Sequence, residues 1–205
     1  PTLLSLAGVR PPAAMQGRAI AGPFAGPAPE FLFGLRGRMD ERTDLVRSVT
    51  DGRFVYVRNY LPHRPHGQHN EYMFQTPATA AWRRRFDEGG LTPAQAAFWQ
   101  PKDPEELYDL EADPAETVNL ASDPARRRTL DRLRRAHRRH ELAVHDVDLL
   151  PEAEMLRRAE GDAPGCLASV QGTNGFAVRR VWSAAELAAG RDLGAVPELR
   201  RRTRD

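Results

Sequence analysis

The clearest alternation of apolar and polar residues lies in "DLVRSVTDGRFVYVRNY", Asp44 to Tyr60. Leu45, Val46 and Val49 precede Asp51-Gly52, and Phe54 to Val57 follow. Two β-prone runs around Asp-Gly predict a hairpin, because glycine adopts positive φ at little cost. "FLFGL" at 31–35 reads as a short buried strand, and "EELYDL", with Leu107, Tyr108 and Leu110, as a strand that buries part of its surface. Leu130, Leu133, Ala136, Leu142 and Ala143 recur at helical spacing and predict one long helix over about 123–145. "TLLSLAG" reads as a helix stopped by Gly8. "TPATAAWRRRFDEGG" and "LTPAQAAFWQ" each show a Thr cap, a nearby Pro and an Ala-rich body. "PEAEMLRRAEG" predicts a short helix, and the tail a helix-turn-helix with its turn at Asp192 to Pro197.

Between these elements the punctuation has a structural explanation. Asp113-Pro114 predicts a cap with Pro at the first position of a helical turn, and Glu116 stands at capping-box spacing. Asp123-Pro124 repeats the device at the start of the long helix. These carboxylates are therefore expected to cap, not to catalyse.

Composition narrows the function classes. The chain has 205 residues, 40% of them hydrophobic, enough for a modest core, and 17 Pro and 16 Gly imply many breaks. Lys102 is the single lysine among 30 basic residues, and 28 acidic residues nearly cancel them, leaving a net charge of +2. That balance argues against a nucleic-acid role. Cys166 is the single cysteine, which excludes an internal disulfide and a Cys-based metal cluster. No apolar run approaches the length of a membrane span, and no signal peptide is visible. Pro1 and the final "ELRRRTRD" both stand mid-pattern, so both ends are expected to be cut.

Taken together, "ELYDLEADPAETVNLASDP", "PTLLSLAGVRPPAAMQGRAI" and "RMDERTDLVRSVTDGRFVYVRNYLPHRPHGQHNEYMFQTPATAAW" resemble the C-terminal part of sulfatases of the alkaline-phosphatase superfamily. The third stretch is similar to a bacterial branch related to heparan N-sulfatases. The resemblance covers roughly residues 1–160. It implies an α/β fold: residues 1–35 from the edge of the catalytic domain, then 36–160 as a C-terminal subdomain with an antiparallel sheet and a packed long helix. Residues 161–205 would be a linker and the start of a helical-repeat extension.

The resemblance also implies hydrolysis of sulfate esters or sulfamates, on a carbohydrate, by formylglycine and Ca²⁺. The nucleophile, the metal ligands and the Lys and His that hold sulfate would lie upstream of this chain, so the chain alone is expected to be inactive. A periplasmic or secreted location would follow from the family. Within the superfamily, a phosphodiesterase or phosphonate hydrolase is the rival. A non-catalytic Arg-rich module for sulfated polymers is a second, resting on the helix from Arg126 to Arg139.

Two stretches mimic the formylglycine motif. Cys166 begins one, but Val170 stands where Arg is required; Ser122-Asp-Pro-Ala-Arg126 fits literally, yet sits where a helix cap belongs. Candidate substrate contacts are Arg36, Arg38 and Glu41 in "RGRMDER", because the guanidinium fork suits sulfate and the family's equivalent segment borders its pocket. A plain strand edge is the other reading. His66 and His69, in the His63/His66/His69 loop, are candidates for a pocket wall; a metal site or a solvated loop remain open for them.

Overall fold

The computed structural model describes residues 1–158, 178–190 and 193–202. The chain divides into two units, Pro1–Leu32 and Phe33–Asp205. In the first, helix α1 (Thr2–Leu6) ends as the pattern predicts, with Gly8 at φ +72°. The loop after it folds back onto the helix. The Ser5 hydroxyl, fully buried, accepts a hydrogen bond from the Phe24 amide at 3.0 Å. Gly22, at φ +85°, passes so close to Ser5 that a Cβ there would lie 2.5 Å from the hydroxyl oxygen. Only glycine satisfies both the dihedral and the space.

The second unit is mixed α/β. Strands β1 (Leu32–Met39), β2 (Arg42–Thr50), β3 (Phe54–Asn59) and β4 (Glu105–Asp109) form one sheet in the order β1-β2-β3-β4. β2 and β3 are antiparallel and make the hairpin predicted around Asp51-Gly52, with Thr50 opposite Val55. Gly52 takes φ +96°, and the Asp51 carboxylate closes the turn by accepting from the amides of Arg53 and Phe54. β4 pairs antiparallel with β3, Leu107 opposite Tyr56, so the two strand signals do share a sheet.

β1 corrects one expectation. Its apolar run is not buried: Leu32 is 60% and Leu35 73% exposed. The strand lies at the sheet's edge, where Phe33 still stacks on His140 of the long helix over 127–144, ring centres 3.8 Å apart. An apolar run of strand length gives the conformation, while burial depends on what packs against it.

Between β3 and β4 run helices α2 (Glu71–Phe74), α3 (Pro77–Asp87) and α4 (Pro93–Ala96). Thr92 caps α4 in a full capping box with Gln95, as its sequence predicts. Thr76 precedes α3 but makes no side-chain cap. Trp82, Phe98 and Trp99 stack here into a small aromatic core.

α5 (Arg127–Val144) is the long helix, preceded by a 3-10 turn over Pro124–Arg126 and stopped by His145 in the left-handed region. It packs on β2 and β3. Asp123 is a cap, accepting from the Ala125 amide at 2.8 Å. Asp113 differs from expectation: it opens an irregular turn, not a helical one, and its carboxylate accepts from the Thr117 and Val118 amides. Glu116 is the reason, because its φ of +53° turns the chain out of any helix.

Leu130, Leu133 and Ala136 face the sheet as predicted; Leu142 is only half-buried and Ala143 is exposed. His137 and Glu141 take the buried stripe instead. Helices α6 (Glu152–Arg158), α7 (Val178–Ala189) and α8 (Val196–Arg202) follow. α8 starts before Pro197, which therefore sits in a first helical turn, where proline is tolerated; Asp192 lies outside the described residues.

α7 is fastened by polar contacts. The Glu141 carboxylate accepts from the Tyr60 hydroxyl at 2.7 Å and the Trp182 indole at 2.8 Å. Glu186 receives Arg58 at 2.6 Å. Burial pushes the Glu141 carboxyl up to about 7, and burial, with Arg58 and Arg47 nearby, pushes the His137 imidazole down to about 3. No helix among the described residues is long and apolar enough to cross a membrane.

Candidate functional site

The two segments singled out by sequence, Arg36–Arg42 on β1 and its turn and the His63–His69 loop, are held against each other. Arg36 reaches His66 twice: one guanidinium nitrogen stands 3.2 Å from Nδ1, and another donates to the His66 carbonyl at 3.1 Å. Arg42 donates to the His69 carbonyl. The Glu41 carboxylate accepts from the Glu71 amide at 2.8 Å and from the Asn70 side chain at 3.3 Å. Arg64 and Gln68 both donate to the Thr43 carbonyl. A loop with prolines at 62 and 65 has few amides to pair within itself, so neighbouring side chains satisfy its carbonyls instead.

Beneath Arg36 lies a pair that sequence reasoning missed. Lys102 places its ammonium 2.6 Å from each carboxylate oxygen of Asp44, and both side chains are 1% exposed. Arg36 Nε stands 3.7 Å from the same carboxylate. The one available signal was compositional, a lone lysine in an arginine-rich chain. An ammonium is a compact point charge and fits a cavity that a planar guanidinium would not.

The electrostatics fix the state of His66. Burial, with Lys102 and Arg36 close by, pushes its pKa down to about 4. At neutral pH the imidazole is uncharged, and Nδ1 accepts from Arg36, which leaves the proton on Nε2. An NMR titration is expected to show His66 neutral down to about pH 4, with a rise toward the ordinary value in Arg36→Ala. The sign for stability follows. The unfolded chain takes up this proton near pH 6.5 and the folded chain only near 4. The stabilisation is thus present above about 6.5 and fades as pH falls toward 4. A His66 that titrates near 6.5 in the folded chain would contradict the packing described.

The remaining candidates do not join this cluster. Arg38 pairs at the surface with Glu152 at 3.3 Å, and its side chain stays 59% exposed. His69 stacks near Phe74, ring centres 4.3 Å apart, and stands 3.7 Å from Glu71. Glu41 is bound up in starting α2; the Glu71 amide, first of several influences, holds its carboxyl below the usual range.

Among the described residues there is no group of three or more His, Cys, Asp or Glu side chains placed to hold a metal ion. The carboxylates here do not fit Ca²⁺: Asp44 is occupied by Lys102 and Glu41 by hydrogen-bond donors. Nor does His66 suit a metal, with a guanidinium at Nδ1. Ser122 is exposed and directly precedes the capping Asp123; Cys166 lies outside the described residues.

No protein-family model matches the chain. Among curated proteins it is 35% identical, over 159 residues, to the ulvan-active sulfatase of Formosa agariphila, covering 77% of this chain and 27% of that protein. Among solved structures, a 2-O GAG sulfatase aligns at 22% identity and a TM-score of 0.45, covering 71% of this chain and 24% of the other. By the sequence match the chain is similar to a sulfatase over 77% of its own length. It spans about a quarter of the length of that curated relative.

Proposed function

We propose that this chain is the C-terminal part of a sulfatase that hydrolyses sulfate esters or sulfamates on a carbohydrate. The 35% identity over 77% of the chain to an enzyme named for ulvan supports the reading. Formylglycine and Ca²⁺ would be supplied by sequence upstream. The part left to these residues is to border the substrate. Arg36 is the better-positioned cation: its side chain is 41% exposed, and His66 and Asp44 hold it in place from behind. Arg38, more exposed, would meet a sulfate further along the sugar.

The test is expression of the whole gene product, together with the 205-residue chain alone. The whole protein is expected to release sulfate from an aryl sulfate and from a sulfated oligosaccharide, and the chain alone to release none. Arg38→Ala is expected to raise KM for the oligosaccharide on the order of tenfold, with kcat for the aryl sulfate unchanged. Phosphodiester hydrolysis without sulfate release would overturn the reading.

A further inference from the structure

We infer that the outward face of α5 is a binding track for a sulfated polysaccharide, formed by Arg128, Arg135 and Arg139; the choice of ligand rests on the sulfatase reading above. At 3.6 residues per turn these three positions fall within about 40° of one another. Four of the five buried positions, Leu130, Leu133, His137 and Glu141, lie on the opposite side of the helix. The row is therefore the part of α5 turned furthest from the sheet, and all three arginines are exposed. It runs about 16 Å, at 1.5 Å per residue.

The row differs from the rest of the helix in its charge balance. Arg127 pairs with Asp131 at 3.1 Å, Arg134 with Glu105 and with Asp131 at 3.2 Å, and Arg132 with Asp51. Asp131, the one acid near the row, thus has both oxygens engaged by Arg127 and Arg134. Glu141, the other acid of α5, is 2% exposed on the far side. Among the described residues, Arg128, Arg135 and Arg139 have no carboxylate partner. Three uncompensated guanidinium groups are held in line on a rigid helix.

That geometry selects the ligand. Arg128 and Arg135 are about 10 Å apart along the axis and Arg135 and Arg139 about 6 Å, so one small anion meets only one of them. An extended chain with repeated charges meets all three. Each planar fork can grip a sulfate through two parallel hydrogen bonds. No aromatic side chain alternates with the arginines to stack bases, as single-stranded nucleic acid would require. No apolar stripe flanks the row to enter a lipid surface. The track would hold the polymer while a sulfate group is processed elsewhere.

The test uses the full 205-residue chain, with heparin, chemically desulfated heparin and duplex DNA as probes across a salt series. The chain is expected to bind heparin and not the desulfated polymer. In the triple variant Arg128→Gln/Arg135→Gln/Arg139→Gln, affinity should fall on the order of tenfold or more, and the slope of log K against log salt by roughly two to three. Arg127→Gln, which removes a paired arginine, should change neither, and circular dichroism should show all variants folded.

Unchanged heparin binding in the triple variant, or equal affinity for duplex DNA, would overturn the proposal. The two readings fail separately. In the whole protein, sulfate release with track-independent heparin binding removes the track alone. Track-dependent binding in a protein that releases no sulfate keeps the track and removes the sulfatase reading.

Discussion

Asp44→Ala is expected to destabilise the chain by about 3–5 kcal/mol, the cost of stranding a buried charge. The Lys102 side chain is buried, 1% exposed. Burial already pushes its ammonium below the usual lysine range, against the pull of Asp44. Without the carboxylate, the ammonium must stay charged in a dry site or lose its proton, and either is costly.

The pair also joins separate pieces of chain. Asp44 is in β2; Lys102 precedes β4, and its amide donates to the Pro62 carbonyl at 2.8 Å. Lys102→Met should be milder, since Asp44 keeps Arg36 at 3.7 Å and the Leu45 amide at 2.9 Å. Replacing both with apolar residues, Asp44→Leu with Lys102→Met, should recover much of the loss, because a buried ion pair offers little net stability over good packing. Urea unfolding measures all three. A cost under about 1 kcal/mol for Asp44→Ala would mean that water reaches Lys102.

The same pair shows where sequence legibility stopped. The hairpin at Asp51-Gly52, strand β4 and the long helix were readable because each rests on local chemistry: a positive-φ glycine, a β-prone run, apolar residues at helical spacing. Family resemblance pointed to the Arg36–Arg42 segment and the spacing of three histidines to the His63–His69 loop, and the structure places those two segments together. Their link through Asp44 and Lys102, 58 residues apart, has no periodic signature: Asp44 opens the alternating run as a polar residue, and Lys102 stands in no pattern.

The polar stripe of α5 escaped for a related reason. His137 and Glu141 are polar and stood outside the predicted stripe; Tyr60 and Trp182, brought by distant elements, satisfy the Glu141 carboxylate, and His137 lies 3.5 Å from it. β1 failed in the opposite direction, with Leu32 and Leu35 left largely exposed. In each case local conformation was legible and the partner was not.

The second large effect is expected at Leu107. Leu107→Ala should cost about 2–5 kcal/mol, the range for emptying a fully buried leucine site. Leu107 is 0% exposed and stands opposite Tyr56 in the sheet, itself 2% exposed. Its own amide and carbonyl face the outer edge, away from β3. The Leu107 amide donates to Asn119 Oδ1 at 3.0 Å, and its carbonyl accepts from the Leu120 amide at 2.8 Å. Asn119 also accepts from the Ala121 amide and donates to the Glu105 carbonyl and the Asp103 carboxylate.

This gives "ELYDL" and the downstream "NLA" one physical explanation. The Asn-Leu pair returns alongside β4 and fills the hydrogen bonds of an edge that would otherwise be open. Because backbone bonds fix the strand on both sides, the cavity left by Leu107→Ala cannot close by sliding it, which puts the cost toward the upper part of the range. Tyr108→Phe is the internal control: Tyr108 points to the other face, half-buried, and loses one hydrogen bond to Glu106, worth about 1 kcal/mol. Equal and small losses for the two variants in urea unfolding would show that β4 does not have its inner face in the core.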